Sequence, residues 1–252
     1  MKKIGKKRLD ELLVLQGHCE SRAQAKALIL AGQIWKGTER LDKASRSLTV
    51  DAPVFVKTPL KYVGRGGLKM ENFLKDSQIN PSGMSVLDLG ASTGGFTDCL
   101  LQMGARQAIC VDVGHGQLHY KLRIDERVQN FEKVNLRHLS KEDIEGAPFP
   151  LVVMDLSFIS LQKVLPQAWN FVAAEGILIS LVKPQFECTR EEASESKGVI
   201  RSNETHERVK KEILAFSREQ LEGSSLIQEK EASPHGSDGN LEYFLAWKKK
   251  GD

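Results

Sequence analysis

Apolar positions in the first sixty residues recur every three to four residues. Leu9, Leu12, Leu13 and Gln16 fall on one helical face, and Gly17 supplies a stop. Ser21 is placed to cap a second helix over residues 22–31, with apolar face Ala25, Leu28 and Ile29 and an end at Gly32. Residues 34–37 read as a short strand and turn, and 48–56 as further strand. The pattern predicts a small α+β head over residues 1–60. Pro, Gly and charge then mix over 57–66, and a linker is predicted over 61–66.

From residue 67 the rhythm changes to short apolar runs alternating with helical stretches. Strands are predicted at 85–89, 108–112, 151–155 and 176–182, with helices over 95–102, from about 161, and over 203–221. Two further strand-like runs, 225–230 and 241–247, close the chain. This alternation predicts an α/β body over 67–252, a doubly wound and mainly parallel sheet. The best apolar runs, 149–154 and 176–182, have strand length and fall well short of the ~18 residues of a membrane span.

Composition adds less than its division along the chain does. At 40% hydrophobic and 27% charged, the 252 residues read as globular. The net charge of +3 splits unevenly: residues 1–60 hold 12 Lys/Arg against 6 Asp/Glu, and 61–252 hold 24 against 27. A basic head on a mildly acidic body suits a polyanionic partner. Lys6, Lys7 and Arg8 precede the first helix, and Arg22 and Lys26 share a face of the second. Cys19, Cys99, Cys110 and Cys188 are scattered without a CxxC, which argues against a disulfide framework or a metal site and fits a cytoplasmic protein. The lysine-rich start has no apolar stretch behind it and is not expected to be a secretory signal.

The chemistry concentrates at predicted strand ends. Asp88, Gly90, Ala91, Ser92, Thr93, Gly94, Gly95 and Phe96 form a glycine-rich turn between a strand and a helix. It is neither a Walker A loop nor a clean GxGxxG. Asp88 suits the amino group of an amino-acid-bearing cofactor, and Asp112, ending the next strand, suits ribose hydroxyls. Loop and acid resemble a class I S-adenosylmethionine (SAM) methyltransferase of Rossmann-like fold; a dinucleotide fold with an unusual loop is the alternative. Lys183 ends an apolar strand, where desolvation makes a lysine costly. Alone it would read as a snorkelling side chain. Asp155 on the neighbouring strand, Lys69 after Gly64-Arg65-Gly66-Gly67-Leu68, and Glu242 before the last strand change that reading. A lysine kept from charging by burial and by a second lysine can remove a proton from a ribose 2′-hydroxyl.

These residues carry three resemblances. Arg8-Leu9-Asp10 with Leu13, then Ser21-Arg22, Ala25, Leu28-Ile29, Gly32 and Ile34, resembles the RNA-binding module named after ribosomal protein S-four. Lys69, Asp155, Lys183 and Glu242 resemble, in order, the Lys-Asp-Lys-Glu set of FtsJ-like RNA ribose methyltransferases. Taken whole, the chain resembles the haemolysin A (TlyA) family, through residues 65–69, 90–97, 112–118, 155–160, 182–187 and 239–244. That resemblance implies SAM as cofactor, ribosomal RNA or a ribosomal subunit as partner, and methylation of cytidine 2′-hydroxyls. It implies Lys183 as base, with Lys69, Asp155 and Glu242 in support. Asp88, the glycine loop, Asp112, Val113, Asn135 and Asp155 would hold SAM, and Arg65 would meet RNA. The short tail and short lead before the head resemble members that act on the large subunit. Lys61-Tyr62-Val63-Gly64 departs from the Arg-x-Trp-Val of some relatives, so linker coupling need not carry over. A membrane-active haemolysin and a non-catalytic RNA-binding assembly factor are the competing classes.

Overall fold

The computed structural model describes residues 5–57, 61–236 and 239–251. It divides into two compact units, residues 1–60 and 61–252.

In the first unit, strand β1 (Lys6–Arg8) leads into helices α1 (Leu9–Leu15) and α2 (Arg22–Leu30), followed by β2 (Ile34–Lys36), β3 (Glu39–Arg40), β4 (Ser47–Thr49) and β5 (Phe55–Val56). The Ser21 side chain accepts from the Gln24 N–H, capping α2. Both helices end alike: Gly17 and Gly32 take positive φ, and the next residues, His18 and Gln33, donate back to Leu13 and Leu28 carbonyls. The apolar faces bury Leu9, Leu12, Leu13, Ala25 and Ile29 against Ile34, Leu41 and Leu48. The single strand expected over 48–56 is two. β4 pairs with β1 and β5 with β2, because the chain turns through Ala52 and Pro53 between them.

The second unit runs α3 (Gly66–Ser77), β6 (Ser85–Leu89), α4 (Gly95–Gln102), β7 (Gln107–Val111), α5 (Tyr120–Arg123), β8 (Val128–Phe131), β9 (Phe149–Met154), α6 (Leu165–Asn170), β10 (Val172–Val182), α7 (Pro184–Glu187), α8 (Arg190–Glu195), α9 (Asn203–Gln220), β11 (Ser224–Glu231) and β12 (Tyr243–Lys249). The seven strands lie in the order β11-β12-β10-β9-β6-β7-β8. β6 to β10 are parallel, and β12 and β11 add antiparallel. From β6 the chain builds outward to β7 and β8, then returns to the other side at β9. That reversal opens a crevice beyond the carboxyl ends of β6 and β9.

Both sheet faces are buried. Leu87, Leu89, Val152 and Met154 pack with α6 and α9, whereas Val86, Leu151, Val153, Leu181 and Phe244 pack with α3 and α4. Residues 61–66, expected as a linker, are instead built into this unit. Tyr62 is buried, the Val63 N–H donates to Asp98 at 2.8 Å, and a side chain on Gly67 would overlap the Tyr62 ring. The helix expected from residue 161 begins as a 3₁₀ turn and becomes helical only at Leu165.

Candidate active site

Strand alternation assembles the site. Asp88 continues the face of Val86, Asp155 that of Val153, Lys183 that of Leu181, and Glu242 that of Phe244, all on the α3/α4 side. The β10–β12 ladder ends at Val182–Tyr243, so Lys183 and Glu242 stand opposite each other one step further on. α3 supplies the complement. Lys69 and Phe73 are one helical turn apart and Glu242 and Phe244 two strand residues apart. Lys69 pairs with Glu242 while the two phenylalanine rings meet at 4.7 Å. Lys69 and Glu242 are only 8% and 4% exposed, so this is a buried ion pair. Lys183 pairs with Asp155, and its Nζ also donates to Ser157 Oγ at 3.1 Å.

The glycine loop lies beside these pairs. Gly90 has φ +85, and a Cβ there would come within 2.5 Å of the Asp155 carbonyl oxygen, so only glycine lets the β6 and β9 ends approach this closely. Two cavities of about 320 Å³ each flank the loop. One is bordered by Gly90, Ser92, Asp112, Val113, Val134 and Phe158. The other is bordered by Asp88, Phe96, Asp155, Lys183 and Arg65 together with Ala91, Thr93 and Gly95 of the loop. Gly94 borders neither; its φ of +89 starts α4.

Asp88 is fully buried. Its Oδ2 accepts from the Thr97 N–H at 3.1 Å and the Thr97 Oγ–H at 2.6 Å, whereas Oδ1 has no partner among the described residues. Burial pushes its carboxyl up to about 7. The Thr97 hydrogen bond opposes that rise and the charge of Asp155 adds to it. A buried carboxylate oxygen with no donor, facing a polar cavity, is chemically fitted to a cationic or N–H-bearing ligand.

Some expected residues stand differently. Both oxygens of Asp112 already accept backbone N–H groups, from Ser92 at 2.8 Å and Gly114 at 2.6 Å, so it also shapes the loop. Asn135 borders neither cavity. Its side-chain oxygen accepts from the Arg137 N–H and caps a 3₁₀ turn, while its neighbours Val134 and Leu136 reach the cavity wall. Three wall or anchor residues were not singled out by the sequence: Ser157, Gln117 and Thr97. Ser157 sits inside the Asp-Leu-Ser-Phe run, and that adjacency was the available signal. Phe158 is 91% exposed at φ +63, its ring 5.0 Å from Phe186.

Of the basic head residues, Lys6, Lys7 and Lys26 are exposed. Arg8 and Arg22 both bind the buried Asp10 carboxylate, at 3.1 and 2.8 Å, and Arg22 also reaches Glu11. Arg65 is exposed at the N-cap of α3, at the mouth of the Lys183 cavity.

A sequence profile of the FtsJ-like methyltransferases matches residues 62–249. The 16S/23S rRNA (cytidine-2′-O)-methyltransferase TlyA of Mycobacterium tuberculosis is 39% identical over 94% of this chain and 88% of its own. The 23S rRNA (cytidine-2′-O)-methyltransferase TlyA of Campylobacter jejuni is 36% identical over 73% of this chain and 69% of its own. A solved structure from Streptococcus thermophilus, provisionally labelled a hemolysin, superposes with a TM-score of 0.73 at 36% identity, covering 98% of this chain and 90% of its own. With that match spanning α3 to β12, and with two lysine–carboxylate pairs at the edge of its crevice, this chain belongs to the FtsJ-like methyltransferase family.

Proposed function

We propose that this protein transfers a methyl group from SAM to a cytidine ribose 2′-hydroxyl in ribosomal RNA of the large subunit, in the cytoplasm. The carrying observation is the placement of Lys183–Asp155 and Lys69–Glu242 at the carboxyl ends of β9 and β10, on the same sheet face as Asp88, one of whose oxygens has no partner among the described residues. The names of the M. tuberculosis and C. jejuni relatives support ribosomal RNA and the 2′-oxygen.

Bound SAM supplies an electrophilic methyl group on a positively charged sulfur. Asp88 and the loop from Gly90 to Phe96 hold its amino-acid end, and Asp112, Val113 and the apolar wall at Val134 hold its nucleoside. Asn135 acts through the turn it caps. Lys183 Nζ takes the hydroxyl proton of the ribose nucleophile. Asp155 and Ser157 Oγ orient that Nζ, which accepts the proton as the free amine. Buried Glu242, opposite Lys183 at the end of the β10–β12 ladder, fixes the position of Lys69. The S-four-like head, residues 1–60, docks RNA through Lys6, Lys7, Lys26 and the exposed sides of Arg8 and Arg22. Arg65 meets phosphate at the active-site mouth.

The test is incubation with labelled SAM and separated ribosomal subunits, with the product mapped by primer extension at low nucleotide concentration. Label in large-subunit RNA at a ribose is expected. Label on a base, on protein or nowhere would refute the reading.

A further inference from the structure

Asp155 and Ser157 sit on the loop after β9, and Lys183 on the loop after β10. The parallel ladder between these strands ends at Met154–Ser180, below both groups. Beyond it, three side-chain ties join the loops: Lys183 to Asp155 and Ser157, Phe186 to Phe158, and Glu187 to the segment at Ser160. The first tie contains the reacting lysine. When Lys183 turns to a hydroxyl it must loosen its hold on Asp155 and Ser157, and that tie lapses as accurate placement becomes most necessary.

We infer that Glu187 is a positioning residue that holds the two catalytic loops in register through the proton transfer. This rests on the proposed role of Lys183. Glu187 Oε2 accepts from the Ser160 Oγ–H at 2.7 Å, and Oε1 accepts from the Leu161 N–H at 2.7 Å. Both oxygens are thus spent on the opposite loop, at the start of the 3₁₀ turn that leads into α6. No basic partner of Glu187 stands among the ion pairs of the described residues. Burial raises its carboxyl above the ordinary value, opposed by these two hydrogen bonds. The charge of Lys163 favours this carboxylate and that of Glu212 opposes it, so its two hydrogen bonds to the opposite loop are its direct anchors. It lies four residues beyond Lys183, at the far end of α7, and so fixes the helical turn that carries the lysine.

The test compares Glu187→Ala, Glu187→Gln and Ser160→Ala in the full chain. Hydrogen–deuterium exchange needs no substrate. Glu187→Ala is expected to speed exchange in both residues 155–163 and 183–188 while β9 and β10 stay protected. Unchanged exchange in either loop would overturn the inference. Under single-turnover conditions kcat should fall about ten- to a hundredfold, the loss associated with an ångström of misplacement, with the KM for RNA and the Kd for SAM within about twofold. Glu187→Gln should recover most of the rate, because its carbonyl oxygen can accept from Leu161 and its amide can donate to Ser160 Oγ. Ser160→Ala should lose less than Glu187→Ala, and the double variant no more than Glu187→Ala alone. Wild-type kcat in Glu187→Ala, or additive losses in the double variant, would refute the role. Should the wild-type chain methylate no ribosomal RNA, the functional reading fails, and the exchange pattern alone then decides the inference.

Discussion

Asp10 in the head and Asp88 in the body are both buried aspartates, yet their surroundings are opposite. Burial alone would raise either one. At Asp10, hydrogen bonds and charge from Arg22 and Arg8 outweigh burial and hold the carboxyl at about 2. At Asp88, burial wins and carries it to about 7; among the described residues Thr97 is its only donor and one oxygen has no partner. The head uses its carboxylate to organise cations on its own surface. The body leaves one carboxylate oxygen without a partner among the described residues, which is how a binding site differs from a structural ion pair.

The largest effect that would sharpen this contrast is on transfer itself. Lys183→Ala should lower the single-turnover rate by roughly 10² to 10⁴, the range for a general base, with SAM affinity within a few-fold. Transfer that survives the change would remove Lys183 as the base. Next comes pH. If Asp88 receives a cationic amino group, SAM affinity should rise with pH up to about 7 and level off above it, since the bound state needs the carboxylate. Calorimetry in buffers of different ionisation enthalpy should detect proton release near pH 6. Asp88→Asn should abolish that release and weaken binding by about ten- to a hundredfold, the weight of one charged hydrogen bond.

The two aspartates also predict opposite stability slopes. Between pH 2 and 3.8 the unfolded chain binds more protons at Asp10 than the folded chain, so this contribution grows with pH and is complete above the ordinary value of 3.8. Between 3.8 and about 7 the folded chain binds more protons at Asp88, so its contribution shrinks as pH rises. Denaturant titration of the wild type against Asp88→Asn should show the variant gaining relative stability from pH 4 to 7; parallel curves would refute the shift.

The smallest effects separate the head cations. Lys26→Ala should weaken RNA binding evenly across sequences and reduce the salt slope by about one, leaving thermal stability unchanged. Arg22→Ala should lower the melting temperature of the head, because it leaves buried Asp10 short of a donor. Equal melting points for the two variants would show that the Asp10 cluster is not structural.

Much of the fold was legible because local periodicity and sheet pattern agree. The leucines of α1, the Ser21 cap and the buried strands at 85–89 and 149–154 each follow from spacing and residue type alone. β8 was not legible: Val-Gln-Asn-Phe is a polar edge strand with little apolar signal, and it forms by pairing with β7. Residues 61–66 look like a linker because Gly64 and Gly66 stand among charges, just after Pro59. Here the glycines serve close packing against Tyr62 and α4, which composition cannot distinguish from flexibility. Asn135 reads equally as ligand or cap, and only the position of the Arg137 N–H resolves it.

The sequence by itself determined the chemical kinds at the site: two lysines, two acids and a glycine loop, all but Lys69 at the end of a predictable strand. Which lysine meets which acid was decided only in three dimensions. Lys69 is 173 residues from Glu242, and the two meet because a helical turn on α3 matches a two-residue step on β12. Likewise the acidic character of Asp88 is written in the chain, but its raised carboxyl is not. That follows from full burial, one threonine donor and the charge of Asp155, all set by how β6 and β9 close on each other.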